Sequence, residues 1–184
     1  MNQLKKWIRV TVMGGAFVLA HLTAQAGGLY ANEAKDFGVS ETKYPKRNNY
    51  GSATPMKVPG ATTVTTDELK EMLAKEPKPV LIDALGASTM IADAQGYGDG
   101  IGEGAIIGKD KDLIPKALQA WTSGDKSKPI VFYCRSSSCW HSYNASLHAL
   151  EMGYTNVFWY RGGIDAWKDS GGKVVPFVKS KDAM

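Results

Sequence analysis

Apolar positions along this chain alternate between two rhythms. Val80–Ala84, Ile130–Tyr133 and Asn156–Tyr160 contain short, nearly continuous runs of β-prone residues. Runs of that kind are buried on both faces of a parallel sheet. Between them the apolar residues recur at helical spacing. Leu69, Met72 and Leu73 share one helix face, as do Leu113, Ala117, Leu118 and Trp121. A third helix is expected over His141–Met152, burying Tyr143, Leu147 and Leu150, with Gly153 closing it. A short fourth helix is expected over Ile164–Asp169, and extended pieces at Thr62–Val64 and Val174–Val178. Strands alternating with helices through short turns imply an α/β three-layer sandwich with a central, mostly parallel sheet flanked by helices.

The boundaries of these elements are written in local chemistry. Thr65 or Thr66 caps the first helix, with Asp67 and Glu68 in its first turn, and Pro77 and Pro79 end it. Ser123-Gly124 ends the second. Residues 27–60 are polar and punctuated by proline and glycine, and read as an arm laid over the domain and anchored by its tyrosines. Leu85 to Lys109 is a long irregular stretch with six glycines between Gly96 and Gly108 and a short strand expected at Gly104–Ile107. So long a loop in a compact domain usually has a function. Its acids, Asp93, Asp99 and Glu103, with Asp110 just beyond, lack the spacing of a calcium loop and read as solvated. The expected organisation is a leader over 1–26, the arm over 27–60, one α/β domain over 61–178 and a frayed tail over 179–184.

The leader changes the reading of charge and of cysteine. Lys5, Lys6 and Arg9 precede an apolar stretch, Val10–Ala20, too short to span a bilayer comfortably, and Ala24-Gln25-Ala26 has a small-x-small cleavage pattern. This points to an exported chain, with a bacterial periplasm as the expected compartment and no membrane association after cleavage. The formal charge of +4 counts 22 basic residues; without the three in the leader, 19 face 18 acidic ones. That near-neutrality gives no reason to expect nucleic acid or an anionic membrane as partner. An exported protein with two cysteines ordinarily holds a structural disulfide. Cys134 and Cys139 are only five positions apart, however, and so short a loop removes little chain entropy, so chemistry explains the pair better than stabilisation.

The chemistry centres on Cys134-Arg135-Ser136-Ser137-Ser138-Cys139-Trp140, between a strand and a helix. Backbone N–H groups and a helix N-terminus face the carboxyl end of such a strand and favour a thiolate there. Cys134 is the expected nucleophile. Cys139 is open to three readings: a resolving thiol, a partner oxidised after export, or an inert residue. Arg135 is the candidate for pairing with an anion, Ser136, Ser137 and Ser138 line the loop, and Trp140 sits at its rim. Asp83, ending the Val80 strand, is expected to support the loop or pair with Arg161. Cys134, Cys139 and His141 could together take a soft ion such as copper(I), although no structural-zinc spacing is present; neither a metal nor any other cofactor is expected for the lead reading.

In this setting the chain resembles a rhodanese-like domain. The resemblance rests on Val80-Leu81-Ile82-Asp83, Gly104-Ala105-Ile106-Ile107, Val131-Phe132-Tyr133-Cys134, Gly153 to Val157 and Gly162-Gly163-Ile164-Asp165-Ala166-Trp167, in that order. Cys139-Trp140 and Ser142 to Ala145 are similar to an exported group with a paired-cysteine–tryptophan motif, associated with pyrroloquinoline-quinone-dependent catabolism. The resemblance implies a Cys134 persulfide that carries sulfane sulfur, a six-residue loop suited to sulfur rather than phosphate, and Arg135 as the partner of thiosulfate. It also implies a small sulfur-containing anion or a thiol acceptor as substrate. The sequence departs from the family at Ser137, where glycine is common, and at Cys139, where arginine or threonine is common. The cysteines are also further apart than in the narrower group. A second expectation is therefore a thiol–disulfide protein cycling Cys134 and Cys139 beside a quinoprotein or cytochrome, and a third is a non-catalytic copper-binding module.

Overall fold

A computed structural model describes Tyr30 and residues 32–184; the expected leader over 1–26 lies outside the described residues. Five strands form one sheet in the order β1 (Thr62–Val64), β6 (Val157–Tyr160), β5 (Ile130–Tyr133), β2 (Val80–Asp83), β4 (Gln95–Gly96), and every pairing is parallel. β3 (Thr89–Ile91) and β7 (Val174–Pro176) form a separate antiparallel pair. The helices are α1 (Thr66–Ala74), α2 (Asp110–Thr122), α3 (His141–Glu151) and α4 (Gly163–Asp169). This is the expected α/β architecture, a mostly parallel sheet between two helical layers. Among the described residues no helix is long and apolar enough to cross a membrane.

The period of a strand explains the layers. In β2 and β5 every residue is buried, and alternate side chains go to opposite faces. Val80, Ile82, Ile130 and Phe132 pack with Ile114, Ala117, Leu118 and Trp121 of α2 and with Ala145 and Ala149 of α3. Leu81, Val131, Tyr133 and Tyr160 pack instead with Leu69 of α1 and with Ile164, Ala166 and Trp167 of α4. Each such side chain, fully buried, contributes about 1.5–3 kcal/mol before the entropy of ordering is subtracted. α1 starts on a capping box: Glu68 N–H donates to Thr65 Oγ1 at 3.3 Å, and Thr65 N–H donates to the Glu68 carboxylate at 2.7 Å.

Three expectations change. Gly104–Ile107 is not a strand; the long loop contains β3, β4 and a 3-10 turn at Asp99–Gly102. The tail is not frayed: Ser180 N–H donates to Gly96 O at 2.7 Å, Asp182 accepts from the Trp121 indole at 3.0 Å, and Ala183 is fully buried in the α2 layer. Finally, α3 buries more than Tyr143 and Leu147, since every residue from Ser142 to Ala149 is buried, whereas Leu150 is only partly so. The arm and the long loop cover the side that its helical periodicity leaves to solvent. Tyr143 OH donates to Thr42 O, Asn144 exchanges hydrogen bonds with the Lys46 backbone, and Asn144 Nδ2 also donates to Gly102 O.

Candidate active site

β5 is the central strand, and Cys134 is the residue that follows its last, Tyr133. The chain then turns through Arg135–Trp140 into α3. Cys134 and Cys139 are joined as a disulfide, with Cα atoms 6.1 Å apart, within the range a disulfide requires. Two elements hold the loop from outside it. The Gly162-Gly163 turn presses against its backbone: Ile164 N–H donates to Cys134 O at 2.9 Å and Asp165 N–H to Arg135 O at 3.0 Å. Gly163 has φ of +63°, and a Cβ there would lie 2.6 Å from Cys134 O and from the carbonyl of Arg135. Only glycine satisfies both conditions.

The arm is the second holder. Thr54 donates to Ser137 O through both its N–H (3.1 Å) and its hydroxyl (2.7 Å), and Trp140 N–H donates to Tyr50 O. Arg161, almost fully buried, locks the arm in place by donating to Glu33 O at 2.7 Å, Thr54 O at 3.0 Å and Thr54 Oγ1 at 3.2 Å. Burial pushes its guanidinium below the ordinary value. The alternative pairing of Arg161 with Asp83 does not form. Asp83 instead accepts from Leu85 N–H, Gly86 N–H and Tyr133 OH, and burial raises its carboxyl above the ordinary value.

A cavity of about 410 Å³ opens over the loop, lined by Arg135, Ser136, Ser138, Cys139 and His141 together with Tyr50, Gly51 and Leu85. Arg135 is exposed and makes no ion pair among the described residues. Ser136 Oγ accepts from Ser138 N–H, and Cys139 N–H turns back to Ser136 O. Three expected site residues do not line the cavity, and the first, Cys134, is buried behind Cys139. Ser137 is buried beneath the arm. Trp140 is 4% exposed, donates its indole N–H to Ala53 O and packs on Tyr143. Both hold the arm rather than line the cavity, Ser137 through its backbone carbonyl and Trp140 through its indole. A larger cleft of about 520 Å³ between the arm and α3, lined by Pro45, Pro59, Leu147 and Leu150 among others, contains no thiol or imidazole.

Glu103, read as solvated, does keep an exposed side chain, but that side chain sits at the edge of the site. Its carboxylate accepts from Tyr50 OH at 2.8 Å and lies 3.9 Å from His141 Nε2. The other ring nitrogen, Nδ1, is 3.8 Å from Cys139 Sγ. Burial pulls His141 below its ordinary value, opposed by Glu103 and Asp99, and burial raises Tyr50. No local pattern could have assigned Glu103 to this place, since it lies far from Cys139 along the chain. The one available signal was Gly102, where a Cβ would collide with the His141 backbone. The donor atoms of Cys134, Cys139 and His141 lie within 4.8 Å of one another, but in the disulfide the two sulfurs are bound to each other and do not present two thiolates.

Residues 65–170 match the family model described as rhodanese-like domain. No curated protein matches the chain. Among solved structures, a thiosulfate sulfurtransferase from Pseudomonas aeruginosa is 16% identical over 66% of this chain, with a TM-score of 0.48, and the match spans 21% of that enzyme. A polysulfide-sulfur transferase homodimer from Wolinella succinogenes is 20% identical over 67% of this chain and 82% of its own, with a TM-score of 0.44. A protein from Rhodopseudomonas palustris, described as a possible tyrosine phosphatase, is 24% identical over 64% of this chain and 86% of its own, with a TM-score of 0.47.

Proposed function

Because this chain belongs to the rhodanese-like domain family, we propose that it is a sulfurtransferase in which Cys134 carries sulfane sulfur as a persulfide. One observation carries the reading: a cysteine just past the carboxyl end of the central strand, bonded to Cys139 beside a cavity whose one cationic side chain, Arg135, is unpaired among the described residues. In the proposed reaction the Cys134 thiolate attacks the outer sulfur of a donor such as thiosulfate. Sulfite leaves with the bonding electron pair, and Arg135 compensates the anionic charge while the donor is bound. A thiol acceptor then takes the outer sulfur and regenerates the thiolate. Since a disulfide is not a nucleophile, the Cys134–Cys139 bond must first be opened by a thiol reductant.

The bonded cysteines favour a second reading, a thiol–disulfide protein that exchanges electrons with a periplasmic quinoprotein or cytochrome. The proposed exported location supports it, because disulfides persist in oxidising compartments. The resemblance of Cys139-Trp140 to the quinone-associated exported group points the same way. Intact mass spectrometry of the reduced protein separates the two readings. Uptake of one sulfur from thiosulfate on Cys134, with thiocyanate formed when cyanide is added, is the expected result. A reduced protein and a Cys139→Ser variant that both take up no sulfur would refute the sulfurtransferase.

A further inference from the structure

The long Gly-rich loop and the arm supply more than walls to the cavity. They bring Glu103 and Tyr50 to the imidazole that faces the second cysteine. Cys139 Sγ, His141, Glu103 and Tyr50 stand in a row, with separations of 3.8 Å, 3.9 Å and 2.8 Å. The Tyr50 ring also packs against the imidazole, centroids 4.5 Å apart. This row is built rather than incidental. His148 Nε2 donates to Glu103 O at 2.7 Å, Asn144 Nδ2 to Gly102 O at 2.9 Å, and Gly104 N–H to Tyr50 OH at 3.0 Å. The first two of these supports are anchored on α3, the helix that His141 begins, and the third joins the long loop to the arm. Gly102 has no space for a Cβ against His141, so the approach of Glu103 is set by close backbone packing.

We propose that His141 is the acid–base group of Cys139, positioned by Glu103 and Tyr50, and that Cys139 uses it to discharge the Cys134 persulfide as hydrosulfide. The discharge step rests on the sulfurtransferase reading; the pairing of His141 with Cys139 does not. A carboxylate beside Nε2 favours the tautomer protonated there, which leaves the Nδ1 lone pair for Cys139. His141 accepts the Cys139 proton, and the thiolate attacks the inner sulfur, Cys134 Sγ. The bond between the two persulfide sulfurs breaks, the outer sulfur departs with the electron pair and the proton from His141, and the Cys134–Cys139 disulfide forms. The outer sulfur is reduced and the two cysteines are oxidised, so the step needs no further oxidant. An external dithiol reopens the disulfide and leaves as its own cyclic disulfide. Cys139 lines the cavity while Cys134 lies behind it, so the incoming thiolate meets Cys139 first and Cys134 leaves. Burial lowers His141 below its ordinary value and so favours the neutral ring, while Glu103 and Asp99 act in the opposite sense, toward the imidazolium that forms when it takes the proton.

The test is single-turnover sulfide release from reduced protein loaded with one equivalent of thiosulfate, with loading and release read separately. The expected result is sulfide release with disulfide formation in the wild type, and a stable persulfide in Cys139→Ser. In His141→Ala the ratio of release rate to loading rate falls at least about 100-fold, and added imidazole restores part of it. Glu103→Gln lowers the same ratio but has no further effect in the His141→Ala background. In parallel, the iodoacetamide reactivity of Cys139 is measured in a Cys134→Ser background, with and without His141. A release ratio and a Cys139 reactivity that are both unchanged in His141→Ala overturn the proposal and leave the sulfurtransferase standing. Absence of loading in every variant, with Cys139 reactivity still dependent on His141, refutes the sulfurtransferase and the discharge step while the acid–base pair stands.

Discussion

Gly163→Ala is the sharpest test of how the fold holds its thiol loop. A methyl group at this position meets two separate penalties. The backbone φ of +63° is a left-handed conformation, which costs a residue with a Cβ about 1–2 kcal/mol. The Cβ would also lie 2.6 Å from Cys134 O, Arg135 C and Arg135 O. All three are backbone atoms, so relief requires the loop itself to move, and overpacking of this kind costs about 1–3 kcal/mol. The combined loss is about 2–5 kcal/mol, or roughly 4–20 °C in Tm for a chain of this size. Gly153→Ala is the matched control. Its φ is +85°, but nothing lies within 4 Å of the added Cβ, so only the conformational cost of about 1–2 kcal/mol applies. Differential scanning calorimetry gives the stability difference, and sulfur uptake from thiosulfate reports on the loop. Displacement of the nucleophile by even about 1 Å is expected to cost on the order of 100-fold in uptake rate. Equal Tm losses in the two variants, with uptake unchanged in Gly163→Ala, would refute the reasoning.

Four further outcomes are expected. Arg135→Ala removes the cavity's one cation, unpaired among the described residues, and raises half-saturating thiosulfate about 10- to 150-fold, the equivalent of about 1.5–3 kcal/mol; steady-state kinetics showing no change would remove Arg135 from the site. Arg161→Met leaves Glu33 O and Thr54 O without their donor, costs about 2–5 kcal/mol and opens the arm to limited proteolysis, so an equally resistant variant contradicts the clamp. Asp83 has its folded value raised above 3.8 by burial, so the folded protein holds this proton more tightly than the unfolded chain. Wild-type stability relative to Asp83→Asn therefore falls as pH rises from the ordinary value through the raised one, and urea titrations with a pH-independent difference would exclude this. Deleting residues 179–184 uncovers the α2 layer and removes the partners of Trp121 and Gly96; a loss of about 2–4 kcal/mol is expected in denaturant unfolding, and an unchanged midpoint would mean that the tail is not part of the fold.

What local sequence determines here is whatever depends on neighbours in the chain. Val80–Asp83 and Ile130–Tyr133 read as buried parallel strands because both of their faces are apolar. The Thr65–Glu68 box starts α1, and Ser123 and Gly153 stop α2 and α3. The thiol loop is legible because Cys134, Arg135 and Cys139 lie between a strand and a helix that each announce themselves. Tertiary structure decided everything that depends on which segments meet. Helical periodicity leaves one side of α3 to solvent, yet the arm and the long loop close over it, so Asn144 and His148 become buried anchors. Trp140 and Ser137, adjacent in sequence to Cys139 or near it, bind the arm instead of lining the cavity, one through its indole and the other through its carbonyl, and Arg161 binds the arm instead of pairing with Asp83. Glu103 keeps the solvent exposure its loop position suggests, yet the fold sets its carboxylate beside His141. The physical reason is common to these cases. A side chain's role follows from the direction of its Cα–Cβ bond and from what the chain lays over it, and periodicity specifies the first only within an element. The second depends on contacts such as Gly102 against His141 and Gly163 against Cys134, in which the absence of a side chain lets distant backbones touch.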